Sequence, residues 1–302
     1  SSYLKRNYLE LETLVTQGGY RTAAVDSIGK PEFTDLDGPL GLNDSVMVSD
    51  SKATYTFYPG TTVLAQTWND KMAYTFGLTV GYEASESGVS GWYAPACNIH
   101  RSPFGGRNFE YYSEDTYLSG MMAANVIQGA TNNGTYCYLK HFAVNETASI
   151  GSKASLGLYT WLTEQALREI YLKPFEIAVK KAQPWTIMNA YNRLNGTYCA
   201  ENKWLLTDVL RDEWGFKGMI VTDWGAENDR VAGLLAGQEL EMPTSNGLGN
   251  AQIVEAVKDG RIPEEFLDKM EDIKTKYNAD VYDINNLEEN ERNVYLHIGK
   301  PY

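Results

Sequence analysis

Short apolar runs that end in polar or charged residues alternate along the chain with longer segments of helical period. This alternation constrains the fold more than any other feature of the sequence. The strand-like runs are Pro31–Leu36, Gly91–Cys97, Tyr136–Leu139, Trp185–Asn189, Gly218–Thr222 and Gln238–Met242. Helices are expected over Ser2–Thr16, Asn69–Glu83, Tyr117–Ala130, Leu162–Lys181, Lys203–Trp214, Ala251–Asp259 and Pro263–Tyr277. In the fourth of these, Leu162, Ala166, Leu167, Ile170 and Tyr171 fall on one helical face. Pro174 should kink that helix, since proline removes a backbone donor and clashes with the preceding turn. Gly215 is placed to stop the helix before it, and Pro263 to open a first turn. Strands alternating with helices predict parallel strands joined by crossover helices. A doubly wound sheet usually carries a glycine fingerprint after its first strand, and Asp37-Gly-Pro-Leu-Gly41 is not one. The predicted fold is therefore α/β, a (β/α)8 TIM-like barrel with room for irregularity in its first strands. At 302 residues the chain is sized for one such barrel, which takes ~250. Residues 1–277 are expected to form it, and the polar stretch 278–302 to be an extension or linker stub.

Nearly every strand-like run ends in a polar or charged group: Asp37; His100 and Arg101; Lys140 and His141; Tyr191, Asn192 and Arg193; Asp223; Glu241. In a (β/α)8 barrel these ends converge on one mouth, where active sites are built. Partly buried charges cost several kcal/mol (order of magnitude) unless paired, so a ring of them is a poor structural device. The set reads as functional, although no single member does so alone. Asp223, after an apolar strand, can be a nucleophile, a base, a metal ligand or a helix N-cap. Lys140 and His141 are adjacent, and adjacent strand residues point to opposite faces, so both reach one pocket only where the backbone turns irregular. Lys140 also fits a Schiff-base lysine in a barrel aldolase. The segment Asn98–Gly120 is a long polar, aromatic loop of the kind that carries function, and within it Arg107 and Glu110 can simply pair with each other. Charged donors and acceptors beside Trp and Tyr suit a sugar, whose hydroxyls take hydrogen bonds while its apolar face packs on rings.

Other classes recede on composition. The net charge is -13 with no basic stripe, so a nucleic-acid partner is not expected. No run of about 18 apolar residues is present, so no membrane partner is expected either. No signal-peptide pattern opens the chain, and a cytoplasmic location is the expectation. His100, His141 and His297 show no ligand spacing, so no metal and no cofactor are expected. Cys97, Cys137 and Cys199 are scattered in apolar runs and read as buried free thiols. Sequons occur at Asn133 and Asn195, a triplet common by chance.

Five stretches, in order, carry a family resemblance: "DGPLGL" from Asp37, "NIHRSPFGGRNFEYYSED" from Asn98, "KHFAVNE" from Lys140, "MNAYNRLNG" from Met188 and "GFKGMIVTDWGA" from Gly215. Together they make the chain resemble the catalytic barrel of glycoside hydrolase family 3, the β-glucosidase and β-xylosidase family, over most of residues 10–245. The resemblance implies a retaining, exo-acting β-glycosidase, β-glucosidase foremost, with Asp223 as catalytic nucleophile. Asp37, Arg107, Lys140 and His141 would then bind the glycosyl unit, Met188 and Tyr191 would flank the nucleophile, and Trp224 would line the sugar-binding wall. A retaining site needs a second carboxyl as acid/base. In this family it usually comes from an α/β sandwich domain, for which the chain has no room, so the implied partners are a carbohydrate and that domain or a second copy of the chain. Glu110, Glu146, Glu227 and Glu241 are internal carboxylates, but none matches the family's acid/base position. The readings left are a glycosidase barrel, a sugar-binding barrel with little turnover, and a barrel aldolase using Lys140.

Overall fold

The computed structural model describes residues 19–22, 24, 31–43, 54–146, 158–263 and 266. Along the chain come β1 (Arg21–Thr22), β2 (Phe33–Leu36), α1 (Thr61–Gln66), α2 (Asp70–Glu86), β3 (Gly91–Trp92), α3 (Thr116–Thr131), β4 (Tyr136–Phe142), β5 (Tyr159–Thr160), α4 (Lys173–Ala182), β6 (Thr186–Asn189), β7 (Arg193–Leu194), β8 (Thr197–Tyr198), α5 (Trp204–Glu213), β9 (Met219–Val221), α6 (Arg230–Ala236) and α7 (Leu248–Lys258). The helix expected over Ser2–Thr16, the extension 278–302 and His297 lie outside the described residues, as does most of the helix expected from Pro263.

The main sheet runs β1-β2-β3-β4-β6-β9. Only β1 is antiparallel; every other pairing is parallel, as the alternation with helices requires. Side chains alternate between two buried layers. Trp92, Cys137, Leu139, Ile187 and Ile220 face outward into a core shared with α2, α3 and α4. Their neighbours Tyr93, Tyr138, Met188 and Val221 face inward into a second cluster. Burial on both faces is why these strands read as near-continuous apolar runs. Leu139 and Ile187 are fully buried, and each contributes on the order of 2 kcal/mol by leaving water. On the outside, α2 and α3 touch through glycine: a Cβ on Gly77 would collide with the Val126 carbonyl oxygen.

The fold is mixed α/β, as expected, and among the described residues its main sheet is a curled half-barrel. Among the described residues no pairing joins β1 to β9. Beyond β9, the expected strand Gln238–Met242 is reduced to a single parallel bridge, Val221 to Leu240. The curl itself is clear from the inner cluster. Tyr20, just before β1, packs its ring 4.9 Å from that of Trp224, just after β9. Tyr93 donates its hydroxyl to the Gly19 carbonyl in the same interior.

Other boundaries moved for local reasons. β4 runs through Lys140 and His141, further than its apolar residues suggested. The segment before Pro174 does not kink but divides: wide helical turns over Leu167–Tyr171 end, and α4 starts afresh at Lys173 with Pro174 in its first turn. Gly215 follows α5 at φ +71°, a left-handed conformation that ends the helix as expected. The strands β1, β5, β7 and β8 and the short helices α1 and α6 carry too few residues to show a period, and sequence reasoning missed them, whereas β3 keeps only the first two residues of the run expected from Gly91 to Cys97.

Candidate active site

Each strand end delivers its residue by a specific constraint. Asp37 leaves β2 in a turn closed by Asn43, whose N–H donates to the Asp37 carbonyl at 2.9 Å, and by Trp92, whose indole donates to Gly38 at 2.7 Å. Arg107 and Glu110 sit on one short turn of the loop after β3. Thr61 and Thr62 of α1 donate to the carbonyls of Phe109 and Tyr111 and pin that turn. Lys140 and His141 end β4. There the pairing with β6 shifts register between Leu139 and Phe142. The Lys140–His141 peptide is cis. Both side chains reach the same pocket, which meets the condition that sequence reasoning set for them. Asp223 follows β9, and Thr222 ties that end to the next segment by exchanging hydrogen bonds with Met242 at 3.0 and 2.7 Å.

These residues form one connected array. Glu110, buried, holds Arg107 through one carboxylate oxygen and stands 3.7 Å from the Lys140 ammonium through the other. Lys140 lies 3.7 Å from Asp37 as well. Asp37 is the open member, its side chain 40% exposed, and it accepts from the Tyr20 hydroxyl at 2.8 Å. Arg107 also reaches His141 Nε2 at 2.8 Å. A guanidinium only donates, so Nε2 accepts and the ring proton sits on Nδ1, facing the Tyr111 hydroxyl at 3.4 Å. Tyr111 in turn donates to the Asn145 carbonyl at 3.3 Å. Burial, with Arg107 and Lys140 beside it, pushes His141 well below its ordinary pKa, so the ring is neutral.

Asp223 lies at the centre. Its Oδ1 accepts from the Trp224 N–H at 2.7 Å. Its Oδ2 stands 3.7 Å from His141 Nε2, too far for a hydrogen bond, and is buried without one. Burial raises the Asp223 carboxyl above its usual range, against the pull of Arg107, the Trp224 N–H, Lys140 and Tyr191. The Tyr191 phenol beside it is pushed up by burial and by Asp223. Met188 is buried in the inner cluster that floors this region, and Trp224 forms an aromatic wall with Tyr20 and Tyr93 at 4.9 and 5.3 Å.

The eight residues singled out from the sequence thus fall at or around one pocket. One alternative for Asp223 falls away. The N-cap of α6 is Asp229, not Asp223. No three potential metal ligands cluster among the described residues. Other strand-end residues do not join the pocket. His100 holds the loop by bonding the carbonyls of Asn108 and Tyr111 at 3.0 Å. Arg101 is exposed. Arg193 stacks between Tyr159 and Tyr198 on the small β5-β7-β8 sheet. Asn192 ties Ala143 to Thr160. Glu241 bonds Ser245. The other internal carboxylates are engaged elsewhere: Glu227 with Arg230 at 3.2 Å, and Glu146 with Asn98 at 3.4 Å. Sequence reasoning paired Glu110 with Arg107 but missed its second partner, Lys140, and it missed Tyr20 and Tyr111 altogether. Only the "GRNFEYY" spacing hinted that Tyr111 belongs with Arg107.

Comparison with known proteins identifies the family of the chain. The pattern of the glycosyl hydrolase family 3 N terminal domain matches residues 44–273. Thermostable beta-glucosidase B of Acetivibrio thermocellus is 44% identical over 255 residues, 83% of this chain and 33% of that protein. An exo-alpha-(1->6)-L-arabinopyranosidase of Bifidobacterium breve is 44% identical over 270 residues, 87% of this chain and 35% of that protein. The structure of beta-glucosidase 3B from Thermotoga neapolitana in complex with glucose superimposes with a TM-score of 0.81 at 37% identity, covering 97% of this chain and 45% of that one. The chain spans about a third of the length of these curated relatives.

Proposed function

The chain belongs to glycosyl hydrolase family 3, and from that premise we propose that it carries the sugar-binding and nucleophile half of a retaining, exo-acting β-glycosidase, foremost a β-glucosidase. In the whole protein the curled sheet would close as a (β/α)8 barrel, with a further α/β sandwich domain beside its mouth. One observation carries the reading: a buried carboxylate oxygen, Asp223 Oδ2, with no hydrogen bond of its own, in a pocket lined by Arg107, Lys140 and a neutral His141. Glu146 and Glu227 also keep one oxygen without a hydrogen bond; what sets Asp223 apart is that its oxygen stands at a strand end among two cations and a neutral imidazole.

Asp223 Oδ2 attacks the anomeric carbon, the bond from that carbon to the leaving oxygen breaks, and a glycosyl ester forms on Asp223. Water then cleaves the ester with a second inversion, so configuration is retained. Protonating the leaving oxygen and deprotonating the water falls to an acid/base from outside this chain. Lys140 and Arg107 donate to sugar hydroxyls, and Asp37 accepts from one; these bonds strengthen as charge develops at the ring. The partly exposed rings of Trp224 and Tyr20, backed by the buried Tyr93, give the sugar an apolar face to pack against. Lys140, 3.7 Å from both Asp37 and Glu110, is held in place to donate to a sugar hydroxyl. A β-D-glucoside and an α-L-arabinopyranoside both present an equatorial leaving group, so the substrate panel should include both.

The test is a dinitrophenyl 2-deoxy-2-fluoro-β-glucoside, whose leaving group departs without a proton donor. The expected result is one added glycosyl mass, mapped to the peptide containing Asp223. An unlabelled protein, or a label on Lys140, would overturn the assignment.

A further inference from the structure

Behind His141, on the side away from the pocket, its backbone is held in an unusual way. Past β3 the chain continues beside β4: Lys140 N–H donates to the Pro95 carbonyl at 3.0 Å, and Cys97 N–H to the Lys140 carbonyl at 2.9 Å. One residue on, this backbone ladder stops. Asn98 takes its place with a side chain. Its Oδ1 accepts from the His141 N–H at 2.8 Å, and its Nδ2 donates to the His141 carbonyl at 3.0 Å. A carboxamide is a peptide group in miniature, so one side chain satisfies both backbone groups at the point where β4 loses register. The orientation of the amide is fixed by chemistry: the His141 N–H can only donate, so the oxygen must face it. The second proton of Nδ2 points toward Glu146 Oε1 at 3.4 Å. Asn98 is fully buried and Glu146 almost so, and the other Glu146 oxygen has no hydrogen-bond partner.

We propose that Asn98 is a positioning residue for the glycosidase reaction, setting the His141 ring against Asp223 and Arg107 through the His141 backbone, with Glu146 as the buried anchor that keeps the amide turned correctly. This rests on the glycosidase reading of the same site. The ring that Asn98 carries makes a 2.8 Å contact to Arg107 and lies 3.7 Å from the nucleophile oxygen. Displacements of ~1 Å at such contacts cost up to ~100-fold in rate.

The test compares the full chain with Asn98→Ala, Asn98→Asp and the double variant Asn98→Asp/Glu146→Gln. Labelling by the dinitrophenyl fluoroglucoside is followed as a rate, and each melting temperature is measured. In the double variant the pair still holds one carboxyl and one carboxamide, exchanged in place, and the introduced carboxamide can donate to the introduced carboxyl group, but the His141 carbonyl still faces a carboxyl oxygen. The expected result is a labelling rate ~10- to 100-fold lower in Asn98→Ala, with the double variant regaining the melting temperature lost in Asn98→Asp but not the rate. Rates in the folded fraction equal to wild type, or rates that recover together with stability, would overturn the proposal. The ring nitrogens of His141, read by 15N NMR, give an answer independent of turnover. They should report a proton on Nδ1 in the wild type and a changed ring environment in Asn98→Ala; unchanged ring signals would overturn it too. Failure of the wild type to label marks failure of the glycosidase reading, and the ring signals still decide the role of Asn98.

Discussion

Glu110→Gln perturbs the array at the residue that joins its two cations. The substitution keeps the shape and one acceptor oxygen but removes the charge. Glu110 has a side-chain exposure of 3%, against 4% for Lys140 and 22% for Arg107, so solvent does little to screen the loss. Removing one partner of a buried pair costs ~3–5 kcal/mol. Here Gln still accepts from Arg107, and Lys140 keeps Asp37, so the cost falls below that range, to about 2–3 kcal/mol, the scale of a charge-assisted hydrogen bond. For a chain of 302 residues that corresponds to a fall of roughly 3–5 °C in melting temperature. The same loss frees Arg107 and Lys140 from their fixed geometry toward the sugar, and kcat/KM on a dinitrophenyl β-glucoside should fall by about 10- to 100-fold. Melting at pH 7 and kinetics on the same preparations supply both readings. A melting temperature within about 1 °C of wild type would mean that the Glu110 contacts add nothing net, and the argument would fail.

Asp223→Asn should lose roughly three or more orders of magnitude in turnover while folding normally; near-wild-type rates would remove the nucleophile assignment. Without an acid/base in the chain, dinitrophenyl glycosides should react and cellobiose should barely do so, and azide should speed release of the covalent intermediate as the β-glycosyl azide. Efficient cellobiose hydrolysis by the chain alone would show that an internal carboxylate or a second copy supplies the proton. Burial raises the Glu146 carboxyl to about 7, so the folded state holds a proton that the unfolded state releases near pH 4.5. Stability from this group is therefore full below about pH 4.5 and is lost as pH rises toward 7, by ~3 kcal/mol in order of magnitude. Glu146→Gln should melt like wild type at pH 5 and higher than wild type at pH 8; an equal difference at both would refute this.

Much of the site was legible because chemistry and position coincide in sequence. Asp223 and Asp37 each stand one or two residues past an apolar run, and a strand end is where a barrel-like sheet exposes a side chain. Arg107 lies on a loop with no period to place it, and its assignment came from the family motif. Its geometry came only from Thr61 and Thr62, which grip carbonyls of its turn 48 and 49 residues further along the chain. Tyr20 was invisible: no pattern marks its segment, and its hydrogen bond to Asp37 and ring contact with Trp224 are made across the curl of the sheet.

The sequence by itself determined the strand–helix order, the parallel pairing and the identity of the charged groups, because apolar periodicity and helix-stop residues are local properties of the chain. It also marked a candidate functional set, since so many charges at strand ends would otherwise be costly, although His100, Arg193 and Glu241 turned out to bond elsewhere. Tertiary structure alone decided three things: that Lys140 and His141 face one pocket, that Glu110 serves two cations, and that one oxygen of Asp223 is left without a partner. Each depends on distances between segments far apart in sequence. A strand's period of two says which face a side chain takes only while the register holds, and at the end of β4 it does not.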